Sequence, residues 1–236
     1  MGLHLMVCLC RSWSYVLHLN STVYETSLRI SILFSSAVNL ASTLSYLLPT
    51  YYTSQPPTHL RDSTILITLL SQLDSSCSSQ RGYYEYRQDF LASGCIAHDS
   101  PTISWLASLA GALRSCNYYK VETLTRPKLY MPLLGSRPQK LDRGIVDLDA
   151  LTVRVIISSL HNRLRDRSWL ILRVAYREVT CLPKVTNTSE WLRRTLVLNS
   201  SNTTVEAWLK QQSEKGNVKT EERVEGKWII LKSSPS

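Results

Sequence analysis

Glycine and proline are scarce in this chain, eight and nine among 236 residues. A sandwich or barrel needs turn residues at regular short intervals, so their shortage points to helices. No apolar run reaches the eighteen or more residues that cross a bilayer as a helix. The six cysteines (Cys8, Cys10, Cys77, Cys95, Cys116, Cys181) form neither Cys-x-x-Cys nor a Cys/His zinc spacing. Reduced, buried thiols are therefore expected, and no metal. The apolar stretch Leu3 to Cys10 lacks a basic n-region and an Ala-x-Ala-like cleavage site. It does not read as a secretory leader, and an intracellular protein is expected. Charge is nearly missing from residues 1–60, which hold only Arg11, Glu25 and Arg29. Catalytic signatures are missing too. Gly226-Lys227 is followed by Trp228, so it is no P-loop, and neither a nucleophile elbow nor a dinucleotide glycine triplet occurs.

What is present is globular and basic: 44% hydrophobic, 19% charged, net charge +9. Residues 137–194 hold twelve Lys/Arg against six Asp/Glu. An anionic partner is compatible with that imbalance.

Apolar residues at three- and four-residue spacing predict a helix over 21–48 (Val23, Leu28, Ile32, Leu33, Val38, Leu40, Leu44, Leu47, Leu48), stopped by Pro49. Further helices are predicted over 62–74, 83–93, from Pro101 to Arg114, and over 118–125. Pro127, Pro132, Gly135 and Pro138 make 126–142 a long connection. A helix to about His161 follows, burying Leu148, Leu151, Val155 and Ile156. Another over 164–179 buries Leu164, Ile171, Leu172, Ala175 and Val179. Helices paired in series suggest an antiparallel helical-repeat array, although no sequence period is visible.

The last fifty residues change grammar. Asn187 with Glu190, and Thr203 with Glu206, have the spacing of an N-cap and its N3 partner. Two short helices are predicted there. Gly216-Asn217 stops the second, and Val218–Val224 with Lys227–Leu231 flank Glu225-Gly226 as a hairpin. Two short helices and a hairpin are the order of a winged helix. The fold expected is therefore mainly α: a helical-repeat region over 1–182, ending in a winged-helix module with a small hairpin over 183–236.

His161 and Asp166 are the one acid–base pair to consider, and a solvated helix junction explains them better than catalysis does. Trp105, Trp169, Trp191, Trp208 and Trp228 sit at apolar positions, where core packing is the default. Arg163, Arg165, Arg167, Arg173 and Arg177, with Arg193 and Arg194, read either as a phosphate-contacting surface or as a solvated face paired to Asp166, Glu178 and Glu190. The second module helix carries only Glu206 and Lys210, too few donors to read a major groove.

The stretch Ala112-Leu113-Arg114-Ser115-Cys116-Asn117-Tyr118-Tyr119-Lys120-Val121 resembles a segment of the Sac-three/GANP family of mRNA-export scaffolds. The run from Leu164 to Arg177 is similar to that family's arginine–alanine–tyrosine helix. Trp191 to Leu196, Val205 to Leu209 and Gly226-Lys227-Trp228 echo its closing winged helix, and Tyr24 to Tyr52 and Tyr84 to Arg87 its entry helices. The resemblance implies a nuclear scaffold with PCI-like repeats, no catalysis and no cofactor. Its partners would be a second PCI-like subunit, a small acidic protein and RNA, with no membrane. RNA contact would fall to Arg163, Arg165, Arg167, Arg193 and Arg194, and partner docking to Trp208, Lys210 and Lys227. Structural subunits of the proteasome lid, the signalosome or translation-initiation assemblies share this architecture and stay open as an alternative.

Overall fold

The computed structural model describes residues 22–46, 62–77, 79–135, 147–181, 186–199, 203–221 and 226–231. Its helices are α1 (residues 22–33), α2 (Ala37–Tyr46), α3 (Asp62–Ser75), α4 (Arg81–Ala92), α5 (Pro101–Arg114), α6 (Tyr118–Leu124), α7 (Pro127–Tyr130), α8 (Leu148–Ala175), α9 (Thr186–Thr195) and α10 (Val205–Glu214). A 3-10 turn spans Met131–Leu134, inside the segment expected to be a plain connection. Among the described residues there are three strands: β1 (Glu178–Thr180), β2 (Val218–Thr220) and β3 (Lys227–Ile230). The molecule is mainly helical with one small antiparallel sheet. Its chain divides into two compact units, one formed by 1–110 with 127–157 and the other by 111–126 with 158–236.

The first unit is organised around α3, buried from Ser63 through Ser71 and again at Leu73. Ile65, Leu66, Ile67, Leu69, Leu70 and Leu73 cover most of α3, and its remaining stripe of Thr64, Thr68 and Ser71 carries only small hydroxyls, so the helix can be buried on every side. The predicted helix over 21–48 breaks in two. Ser35 adopts a left-handed φ of 53°, and the Ser36 amide donates back to the Ser31 carbonyl at 2.8 Å. Two adjacent serines offer little helix propensity at that point. Val23 and Val38, both expected inside, lie exposed, Val23 because it sits about 140° round α1 from Leu28, while Leu28, Ile32 and Leu44 are buried.

Arg29 is buried and fully engaged. Its Nε donates to the Asp149 carboxylate, Nη1 to the Glu25 carbonyl at 2.7 Å, and Nη2 to Thr64 Oγ1 at 3.1 Å. The Glu25 carboxylate lies 3.6 Å from Nη1. A buried guanidinium survives only when its donors and charge are both met, as here.

In the second unit, α6 starts at Asn117, whose Oδ1 accepts from the Lys120 amide at 3.0 Å. The helix α8 corrects the prediction of two helices meeting near His161: it runs 28 residues without interruption. No glycine or proline falls within it, and polar residues alone do not stop a helix. Its end comes earlier than expected, and residues 178–180 form a strand instead of a last helical turn. Val179 pairs with Trp228 and turns its side chain into the core, and the Ile230 amide donates to the Arg177 carbonyl at 2.8 Å.

The sheet order is β1-β3-β2, with β3 central and antiparallel to both neighbours. Residues 222–225 of the predicted hairpin lie outside the described residues. One core joins the sheet to the helices: Trp169 and Leu172 of α8, Val179, Cys181, Leu192, Leu196 and Leu198, Trp208 and Leu209 of α10, Val218 and Ile230. Both helix starts differ from the predicted boxes. Asn187 lies inside the first turn of α9, and Thr204, not Thr203, caps α10 by accepting from the Ala207 amide at 3.1 Å.

Candidate functional site

Every residue singled out for binding belongs to the second unit. On an α-helix, residues 163, 167, 170 and 174 fall within about 40° of one line, because each step turns by about 100°. In α8 these are Arg163, Arg167, Leu170 and Val174, all exposed, with Ile171 at the edge of the stripe. Leu170 is 60%, Ile171 54% and Val174 80% accessible. One end of the stripe is thus basic and the other apolar. Ile171 and Ala175, predicted to be buried, are on the solvent side, while Trp169 and Leu172 take the core.

Arg165 sits on a different side of α8 and is spent internally. Its Nε donates to the Leu196 carbonyl at 3.1 Å, Nη2 to the Val197 carbonyl at 3.3 Å, and Nη1 to Asn162 Oδ1 at 3.1 Å. These carbonyls lie in the turn that closes α9, where Val197 is held at a left-handed φ of 53°. A cation on the last carbonyls of a helix satisfies orphan acceptors. Burial pushes its guanidinium pKa down from the ordinary value, against the Asp166 and Glu122 carboxylates. Arg165 is half-buried and has a structural role, its three hydrogen bonds holding α8 to the turn after α9.

Arg193 and Arg194 project from the last turn of α9 and share Glu190. Arg193 Nε lies 3.0 Å from one of its oxygens and Arg194 Nε 2.7 Å from the other. Hydrogen bonds from both hold the Glu190 carboxyl below the usual carboxylate range. The Arg194 guanidinium carbon also stands 5.4 Å from the Tyr119 ring centroid, a cation–π distance.

The residues expected to dock a partner fare unevenly. Trp208 is buried, edge-on to Trp169 with centroids 4.8 Å apart, and so is a core residue, not a docking one. Lys210 is exposed on α10. Lys227 Nζ bridges to Glu178 at 2.8 Å, a diagonal pair across β3 and β1 that raises the lysine pKa.

His161 and Asp166 do not come together as an acid–base pair. His161 is buried, with Nε2 2.8 Å from Thr125 Oγ1, whereas Asp166 is exposed about 140° further round the helix. Burial first, and the Arg165 guanidinium second, push the imidazole down to about 4, so it is neutral near pH 7. Beside it in the unit, buried Glu122 accepts from Asn199 at 2.5 Å. Among the described residues, no cluster of three His, Cys, Asp or Glu is placed to hold a metal ion, and no helix is long and apolar enough to cross a membrane.

No family model matches the chain, and no curated protein matches it. The site has to be read from its own chemistry. Sequence reasoning found the arginines and missed the apolar half of the stripe. Trp169-Leu170-Ile171-Leu172 presents four apolar residues in succession, which cover every side of a helix and leave the inward face undetermined.

Proposed function

We propose that this chain is a non-catalytic scaffold whose C-terminal unit is a winged helix that docks a partner protein and contacts RNA, in the manner of the mRNA-export scaffolds it resembles in sequence. The order of the last elements supports the winged-helix reading: end of α8, β1, two helices, then two strands with the later one central. The upstream helices would form the PCI-like array. The exposed stripe of α8 carries the functional reading, because Arg163 and Arg167 suit phosphates while Leu170, Ile171 and Val174 suit an apolar partner surface. The apolar end also favours the second reading, a structural subunit of a proteasome-lid or initiation-type assembly, in which protein docking alone matters.

Fluorescence anisotropy with a single-stranded RNA across a salt series separates the two. The scaffold reading expects binding that weakens steeply with salt. Arg163→Glu with Arg167→Glu should lower the log–log salt slope by about 1 per lost phosphate contact. Absence of RNA binding at low salt would sink the scaffold reading and leave the protein-docking subunit.

A further inference from the structure

Three aromatic side chains of the second unit are exposed: Tyr119 (52%) on α6, Tyr176 (44%) just after α8, and Trp191 (39%) on α9. They form one row. Tyr176 meets Trp191 with ring centroids 5.5 Å apart and planes at 66°. Trp191 and Arg194 lie three residues apart on α9, hence on one face, and Arg194 stands over Tyr119. The row therefore reads Tyr176, Trp191, Arg194, Tyr119: an edge-to-face ring pair, then a guanidinium that covers one face of the last ring and leaves its other face open to a base. Arg193 and Arg177 lie beside it in sequence, both exposed. Each guanidinium has five donors, and Glu190 occupies only a minority of them on Arg193 and Arg194.

We infer that this row is a stacking platform for unpaired nucleobases, with the neighbouring arginines taking the phosphates that link them. Aromatic faces accept any base, and guanidinium groups stack as well as pair, so the ligand is a single strand without strong sequence preference. A duplex offers no free base faces and would gain nothing from the row. An apolar protein surface would favour the aliphatic stripe of α8 over three rings edged with arginine. The inference rests on the RNA-contacting reading above and names the part of the strand that is recognised.

The test compares a short uridine-only RNA with an abasic strand of equal length and charge, both fluorescein-labelled, on the full chain. The platform expects the uridine strand to bind about tenfold tighter than the abasic one. Trp191→Ala should remove about that factor for the uridine strand and leave the abasic strand unchanged, while Trp191→Phe retains most of it. Phe keeps a stacking face, so it separates lost stacking from lost folding. A thermal melt of both variants completes the control. Equal binding of the two strands, or uridine binding indifferent to Trp191→Ala and to Tyr176→Ala, would overturn the platform while leaving phosphate-driven RNA contact intact. Binding of neither strand at low salt would overturn both. Tyr176 and Trp191 variants that instead abolish association of the chain with another protein, without changing strand binding, would also overturn it.

Discussion

His161 is a buried base kept neutral by its surroundings, and that fixes how the second unit responds to acid. Its imidazole titrates near 4 in the folded protein, against 6.5 for an unperturbed histidine. Between those values the unfolded chain binds the proton and the folded one does not. Stability therefore rises with pH across this window: the contribution is complete above about 6.5, is lost as pH falls toward 4, and amounts to about 3 kcal/mol at most. Urea unfolding followed from pH 7 to pH 4 should reveal that slope, and His161→Gln should flatten it. An unchanged slope in the variant would place the acid sensitivity elsewhere. Arg165 makes the complementary point about reading single residues. It is as prominent in sequence as Arg163 and Arg167, yet its Nε and Nη2 end on the Leu196 and Val197 carbonyls, in the turn just after α9. Only the face of a helix distinguishes a solvent-facing arginine from a capping one.

Helix ends decide most of what differs at the scale of elements. Thr204 caps α10 with its side-chain oxygen while remaining exposed, so Thr204→Ala removes the cap without opening a cavity. A loss of about 1 kcal/mol is expected in denaturant midpoints, and Thr203→Ala should cost far less. Equal losses from the two would restore the cap to Thr203. The helices α3, α5 and the short α6 were legible because Asp62, Pro101 and Asn117 mark their starts with specific chemistry. The break at Ser35, by contrast, depends on a left-handed residue that is not glycine. Strand β1 is three residues long, and only pairing with β3 distinguishes it from another helical turn. The exposure of Trp191 was illegible for a related reason. Tryptophan is a core residue by default, and nothing local indicates which side of α9 faces the sheet.

At the scale of the whole molecule, the two units interleave along the chain, since each takes two separate segments. A fragment over 183–236 would lose β1 and, with it, Trp169, Leu172, Val179 and Cys181 from the core that Trp208 and Leu192 share. Stripped of one sheet edge and the ring against Trp208, so short a piece lacks the buried apolar surface that folding requires. It should melt without a cooperative transition by circular dichroism, where the full chain should melt with one. A sharp transition in the fragment would mean that its two helices and hairpin suffice alone.

The buried guanidinium of Arg29 binds the Asp149 carboxylate across 120 positions of sequence. During synthesis, α1 and α3 leave the ribosome long before Asp149 does, and the charge they enclose has only Glu25 nearby until then. The first unit is thus expected to close only once α8 has been made. A nascent chain arrested before α8 is a natural client for chaperones, whereas one arrested after it should already resist protease.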